Sequence, residues 1–411
     1  MIEERKDGHL DAIISVQYEA YPYPPRDPAD EATRLITGSP SHILELNHYV
    51  FAGRRDFTKP FRALVAGGGT GDAAIMLAQQ LADAGGPHEV TYIDLSSAST
   101  KIARARAKAR GLTNIRFVTG SLLDLGTLAQ GPYDYIDCCG VLHHLEDPAA
   151  ALGILRNALA DDGGMGLMVY APLGRTGVYP MQSMLSTLDA GDAPDARIRM
   201  AQNLLKALPP TNWLKRNPHV ADHLQAGDSG LYDLLLHGRD RAYSVSEIGI
   251  LCESAKIRPV AFIEPIRYDP LLFIDAPDLA ERLRGLSWLD RCAFAEQLTG
   301  NLKTHVFYVV KQSNETNTVA SIDDDYMVPV LFGMDGADAA KSLRDSGRIQ
   351  TNFDGLKLSI PVSAAECDAL ALIDGRRTAG VIRRTVDPAA LHRIFSVLNA
   401  INSGFLRAGV E

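Results

Sequence analysis

The residues best placed to do chemistry lie between positions 61 and 148. Ala63-Leu64-Val65-Ala66-Gly67-Gly68-Gly69-Thr70-Gly71-Asp72 reads as an apolar strand that enters a glycine-rich turn and opens a helix. Glycine lets the backbone bend tightly and approach a ligand with no β-carbon in between, and the first amides of the helix stay free to donate. Asp94, 23 residues after Gly71, closes a second apolar run and is followed by Leu95 and Ser96. A carboxylate there can accept from both hydroxyls of a ribose. It can also cap the helix that starts near Ser97, a part Ser96 could play as well. The glycine spacing separates two classes of nucleotide ligand. It is GxGxG (Gly67, Gly69, Gly71) followed by Asp72, whereas a pyrophosphate cradle has GxGxxG. Aspartate at the helix start repels pyrophosphate and tolerates a ligand with an ammonium end.

A fourth apolar run, Tyr133 to Cys138, leads through Cys139 into Gly140-Val141-Leu142-His143-His144. Imidazole titrates near neutral pH, so His143 is a candidate general base. Cys138 and Cys139 end a buried strand, where cysteine serves as a small hydrophobe. Near the N-terminus, Tyr18-Glu19-Ala20-Tyr21-Pro22-Tyr23-Pro24-Pro25 forms a stiff strap bearing phenols. From it Tyr21 is a second catalytic candidate and Tyr18 a ligand contact.

These groups need a scaffold that gathers strand ends. Arg62–Ala66, Glu89–Asp94, Asn114–Thr119, Tyr133–Cys138 and Met165–Tyr170 read as strands, and Asp72–Ala84, Ser97–Arg110 and Pro148–Leu159 as the helices between them. That alternation predicts a doubly wound parallel α/β sheet. Residues 172–243 read as a helical insertion. A helix at Ser246–Lys256 and strands at Pro259–Ile263 and Thr304–Lys311 complete the sheet. The domain reading is a strap with helices over 1–50, a catalytic domain over 51–311, an exposed polar linker over 312–326 and a small α+β accessory unit over 327–411. In that last unit the sequence predicts a helix, a hairpin at Phe353–Pro361, a helix at Ala364–Ile373 and two more helices.

A net charge of −9 argues against a broad grip on nucleic acid. Five scattered cysteines without a CxxC pair point to neither a disulfide framework nor a metal site. The first residues carry no signal-peptide pattern and no run is apolar for eighteen residues, so a soluble, cytoplasmic protein is expected.

With these elements in order, the sequence resembles the class I S-adenosylmethionine-dependent methyltransferases over roughly residues 61–311. The resemblance implies a seven-stranded Rossmann-like sheet, S-adenosylmethionine as cofactor, and contacts from Gly67, Gly68, Gly69, Gly71, Asp72, Asp94, Leu95, Cys139, Gly140 and Tyr18. Gly120-Ser121-Leu122-Leu123-Asp124 is similar to the loop that borders the adenine, which adds Ser121, Leu122 and Asp124. Relatives often carry an acid two residues before the first glycine; Val65 stands there, so the partner of the cofactor's ammonium stays open. His237-Gly238-Arg239-Asp240-Arg241-Ala242-Tyr243-Ser244-Val245 resembles the group with a methyltransferase regulatory domain, some of which methylate protein lysines. The acceptor is thereby a protein side-chain amine or a small molecule, reached by direct in-line transfer, and a non-catalytic cofactor sensor is the alternative. The C-terminal unit is similar to winged-helix or peptide-chaperone-like modules, which implies partner recognition or a homodimer.

Overall fold

The computed structural model describes residues 18–409. Seven strands form one sheet: β1 (Phe61–Ala66), β2 (His88–Asp94), β3 (Ile115–Thr119), β4 (Tyr133–Cys139), β5 (Leu159–Tyr170), β6 (Ile257–Phe262) and β7 (Thr304–Lys311), in the order β3-β2-β1-β4-β5-β7-β6. The first five are parallel, and β7 runs antiparallel to both β5 and β6. The order reverses beside β1, so the chain leaves β1 and β4 toward opposite sides and opens a crevice at their C-terminal ends.

Side chains alternate across this sheet. Leu64, Ile136, Met165, Leu167 and Val169 meet the helices at Pro148–Ala158, Val245–Ser254 and Trp288–Thr299 on one face. Ala63, Val65, Tyr92, Tyr135 and Tyr308 meet the helices at Ile43–Val50, Asp72–Ala84 and Ser97–Ala109 on the other. With both faces covered, only loops at the strand ends are left to bind anything.

Residues 172–243 are helical and have a core of their own, built by Val178, Met181, Leu185, Ile198, Leu231, Tyr232 and Leu235. The C-terminal unit departs from expectation at both of its ends. Met327–Leu331 is a strand (β8), not the start of a helix, and pairs antiparallel with a closing strand (Gly404–Ala408) that the sequence reading missed. The hairpin spans Arg348–Phe353 and Leu356–Pro361, five residues longer at its start than expected. Two two-stranded sheets and intervening helices make it α+β. Among the described residues, no helix is long and apolar enough to cross a membrane.

The segment expected to be an exposed linker is exposed only in part. Thr318, Ala320 and Ile322 are buried, and the Ala320 amide donates to the His48 carbonyl at 2.8 Å. The accessory unit is thus docked on the sheet domain. Phe405 enters the core beside Tyr49, Asn402 donates to Glu45 at 2.8 Å, and the Leu406 amide donates to His48 Nδ1 at 3.1 Å. The tip of the hairpin is wedged near the insertion: Asp354 pairs with Lys303 at 2.7 Å, and Lys303 Nζ donates to the His219 carbonyl at 2.9 Å.

Candidate functional site

Gly67, Gly69 and Gly71 all have positive φ, at 76°, 51° and 104°. The loop they form folds back on its neighbours: the amides of Gly67 and Gly68 donate to the Ile93 carbonyl at 2.8 and 3.1 Å, and Tyr92 Oη donates to the Gly69 carbonyl at 2.6 Å. Asp94 completes this corner. Its Oδ2 accepts from the Gly69 amide at 2.7 Å and its Oδ1 from the Ser96 amide at 2.8 Å. Ser96, not Asp94, caps the helix at Ser97–Ala109, by accepting from the Ser99 amide. The Asp94 carboxylate, with lone pairs to spare, is aimed by two amides and not consumed by them.

Leu95 and Leu123, 57% and 51% exposed, stand just past the ends of the neighbouring strands β2 and β3, flat apolar surface of the kind that covers a nucleobase. Ser121 turns its hydroxyl to the Leu123 amide at 3.1 Å, Leu122 is buried beneath, and Asp124 is exposed beside them. On the β4 side, Gly140 has φ 77° and its amide donates to the Met168 carbonyl. Asp94, Cys139, Tyr170 and Tyr18 lie deep enough for burial to push each of them upward, yet all four keep part of their surface accessible. Asp94, Cys139 and Tyr170 stand at the C-terminal ends of β2, β4 and β5, beside the crevice that the sheet order opens there.

The strap roofs it. Thr70 Oγ1 donates to the Pro24 carbonyl at 2.7 Å, Ser96 Oγ to the Tyr18 carbonyl at 3.1 Å, and Ser97 Oγ to Glu19 at 2.9 Å. Tyr18 Oη lies 3.2 Å from His237 Nε2, and Tyr21 stacks on Tyr232 of the insertion. Tyr21 Oη donates to Asp195, which pushes the phenol up to about 12. Tyr21 therefore ties strap to insertion at an exposed position. That geometry gives it the part of a tether.

Asp72 is likewise engaged within the protein. Its carboxylate receives Arg26 at 2.6 and 2.9 Å and Arg106 at 2.6 Å, and these bonds hold it below the usual carboxylate range against burial. Two guanidinium groups occupy the acid, so Asp72 fastens the strap to the helix behind the loop. Neither arginine stood out in the sequence, because each lies in an ordinary charged stretch.

The far wall is a column of stacked side chains. The Arg175 guanidinium lies 3.6 Å from the Tyr170 ring centre, and Tyr170 stacks on His143 at 3.9 Å. His143 meets His144 edge-on at 4.2 Å, and His144 stacks on His237 at 3.7 Å. Burial pushes His143 and His237 well below the ordinary imidazole range, so both are neutral. His143 is 1% exposed, and among the described residues neither of its ring nitrogens has a hydrogen-bond partner. Asp233 accepts from Tyr170 Oη at 3.1 Å, and burial raises its carboxyl. Tyr170, Arg175 and Asp233 escaped the sequence reading because they are joined only by the fold; Asp240 and His237 fell inside a motif but without a role.

Asp94 carries a direct test. Asp94→Asn weakens S-adenosylhomocysteine binding, measured by calorimetry, by about tenfold or more, the effect of losing charge-assisted bonds. Since burial raises this carboxyl, the wild-type affinity falls on acidification, starting above the ordinary aspartate range. An unchanged affinity in the variant rules out the ribose assignment.

Comparison with known proteins agrees with the geometry. A family described as a methyltransferase domain matches residues 64–165, from β1 into β5. "Uncharacterized protein syc1184_c" of Synechococcus sp. is 30% identical over 306 residues, 72% of this chain and 70% of that one. PKMT2 from Rickettsia typhi in complex with AdoHcy has the same fold, with a TM-score of 0.58 at 15% identity over 85% of this chain and 71% of that one. A second structure of PKMT2 gives 0.56 at 14% identity over 84% and 71%. The glycine loop without room for β-carbons, the aimed Asp94 carboxylate and the exposed leucines beside it fit an adenosyl ligand. The chain belongs to the class I S-adenosylmethionine-dependent methyltransferases, and S-adenosylmethionine is its methyl donor.

Proposed function

We propose that this enzyme methylates a side-chain amine of a protein, held in the chamber between the strap, the insertion and the ends of β4 and β5. The observation that carries the reading is the character of that chamber. Phenols of Tyr18, Tyr23 and Tyr170 are deep yet accessible, the Asp233 carboxyl lies among them, and burial disfavours the charged forms of His143 and His237. Aromatic faces and a carboxylate attract a cation. The sulfonium cofactor, when bound, supplies an electrophilic methyl group.

This chain's residues then have three tasks. Gly67 to Gly71, Asp94 and the loops after β3 and β4 hold the adenosyl end and leave its methyl toward the chamber. The ammonium of the acceptor must lose a proton before its lone pair can attack, and Asp233, whose burial favours the protonated form, is built to take it. His143, neutral and unpartnered, suits a hydrogen-bonding wall better than a base, because an imidazole of lowered pKa is a weak one. The strap and insertion exclude water and keep the amine in line with the methyl, which supplies most of the acceleration. The fold likeness to PKMT2 and the motif at His237–Val245 support the same reading, as does the accessory unit docked on the sheet domain.

The test feeds the full chain and labelled S-adenosylmethionine to a cell extract cleared of endogenous cofactor. Most label is expected in protein, released by acid hydrolysis as a methylated amine side chain. Label confined to the small-molecule fraction overturns the reading.

A further inference from the structure

The hairpin of the accessory unit is joined to the far wall of the site by a chain of direct contacts. Its turn is Asp354-Gly355, at φ 49° and 90°, the left-handed backbone that reverses a strand in two residues. Asp354 stands between two cations: Oδ1 lies 2.7 Å from Lys303 Nζ, and Oδ2 lies 3.2 Å from Arg267 Nη2. Asn301 Nδ2 donates to the Phe353 carbonyl at 2.6 Å, which fastens the strand beside the turn to the same segment. Gly355 meets the insertion. A β-carbon on it would lie 2.7 Å from His219 Nε2, so only bare backbone fits against that ring. Lys303 unites the two contacts, because its Nζ also donates to the His219 carbonyl at 2.9 Å.

From there the contacts run inward. The loop after β5 is strung along residues 302–303: the Ala171 amide donates to the Lys303 carbonyl and the Gly174 amide to the Leu302 carbonyl, each at 2.9 Å. From the insertion, Asn217 Oδ1 accepts from the His219 amide at 3.1 Å, while its Nδ2 donates to the carbonyls of Gly174 and Thr176 at 3.0 and 3.2 Å. Between those two residues stands Arg175, whose guanidinium lies on the Tyr170 ring and pairs with Asp240 at 3.0 Å. None of these links includes the glycine loop, Asp94 or the strap.

We propose that Asp354 is a positioning residue for methyl transfer: by holding Lys303 and, through it, His219, it fixes the loop after β5 and with it the Tyr170 wall beside the acceptor. The inference rests on the chamber being the acceptor site. Charge carries the effect. Without the carboxylate, Lys303 and Arg267 face each other uncompensated. Arg267 keeps Glu264 at 2.8 Å, whereas the lysine, a flexible and strongly hydrated point charge, leaves the His219 carbonyl for water. The accessory unit thereby governs use of the acceptor and leaves cofactor binding alone.

Three variants of the full chain test this. Asp354→Asn keeps the shape and the left-handed backbone, which asparagine accepts, and removes the charge. Lys303→Gln breaks the middle link, and Lys303→Arg restores a cation able to bond both partners. In the cofactor-cleared extract at saturating labelled S-adenosylmethionine, label is counted per cofactor site, the sites being counted by calorimetry with S-adenosylhomocysteine. It is expected to fall by about tenfold in Asp354→Asn and Lys303→Gln, the effect of losing a charge-assisted bond, and to return to within about threefold of the parent in Lys303→Arg. The affinity for S-adenosylhomocysteine is expected to stay within about threefold in all three. A merely structural role would lower the number of sites and leave turnover at each unchanged; that result overturns the proposal, as does a tenfold loss of affinity. Hydrogen exchange read by mass spectrometry needs no acceptor. The amides of Ala171 and Gly174 are expected to exchange about tenfold faster in Asp354→Asn, and those of Gly67 to Gly71 at the parental rate. Unchanged exchange at Ala171 and Gly174 refutes the assignment even where no extract component takes label, and Lys303→Gln serves for every reading should Asp354→Asn melt well below the parent. Whether label lies in protein or in small molecules decides the amine reading and leaves these ratios unchanged.

Discussion

Alanine at position 67 weakens the binding of S-adenosylhomocysteine by about a hundredfold or more, equivalent to about 2.7 kcal/mol. Two independent costs add up. Gly67 sits at φ 76°, a region that charges a residue bearing a β-carbon about 1–2 kcal/mol. That β-carbon would also lie 3.3 Å from Val141 Cβ and 3.2 Å from Val141 Cγ1, with Cγ2 closer still. Rotating the valine cannot clear its own Cβ, so the loop after β1 and the loop after β4 must part. They are the two walls of the crevice, and separating them moves both the glycine amides and Gly140. Gly85 provides the control. It too has positive φ, at 81°, but an added β-carbon there meets nothing within 4 Å. Gly85→Ala is expected to lower stability by about 1 kcal/mol and leave affinity unchanged. Calorimetry on both variants decides the matter, and Gly67→Ala binding within threefold of the parent would show that the site lies elsewhere.

The contrast between these two glycines also shows where sequence reading succeeds. Both precede or follow helices in similar contexts, and only the surrounding fold tells which one touches a ligand. The strands β1 to β4 and the helix at Asp72–Ala84 were legible because their apolar runs are bounded by glycine, proline or aspartate, signals that are local. Strand β5 is legible from Met165 only, since Asp161, Asp162, Gly163 and Gly164 look like a turn; the strand begins at Leu159, and its register on β4 shifts before resuming at Gly164, where pairing with β7 also starts. The closing strand at Gly404–Ala408 was illegible, as its partner Met327–Leu331 lies more than seventy residues away. In the site, the glycines and Asp94 announce themselves by spacing. Arg26, Arg106, Tyr170, Arg175 and Asp233 do not, because each takes its meaning from a side chain on another element. Asp72 is the instructive case. Its position at a helix start invited a ligand role, and two distant arginines give it another.

Arg106→Ala is expected to cost about 3–5 kcal/mol of stability, the largest effect of any single ion-pair truncation proposed for this chain. Arg106 belongs to the helix at Ser97–Ala109 and is 1% exposed. Its Nε donates to Glu31 Oε1 at 2.7 Å, and its Nη1 donates to the Thr70 carbonyl at 2.9 Å and to Asp72 Oδ1 at 2.6 Å. Removing it takes a donor from three acceptors at once. Glu31, with 2% of its side chain exposed, keeps only Arg110 and loses the charge buried beside it. Asp72 keeps Arg26, but the Thr70 carbonyl, inside the glycine loop, keeps nothing that the structure offers. The exposed pair Arg344–Asp368 sets the scale: it is as short, at 2.6 Å, but 45% and 58% exposed, so Arg344→Ala should cost less than about 1 kcal/mol. Urea unfolding followed by the fluorescence of Trp213 and Trp288 measures both. The two arginines differ in function as well. Arg106 joins the segment around Glu31 to the helix and, through Asp72 and Arg26, to the strap that covers the cofactor crevice. Its loss should therefore weaken S-adenosylhomocysteine binding too, whereas Arg344→Ala should not. Equal stability losses in the two variants, or a full loss of stability in Arg106→Ala without any change in affinity of the folded fraction, would mean that the buried network supports the core and leaves the roof of the site to hold itself.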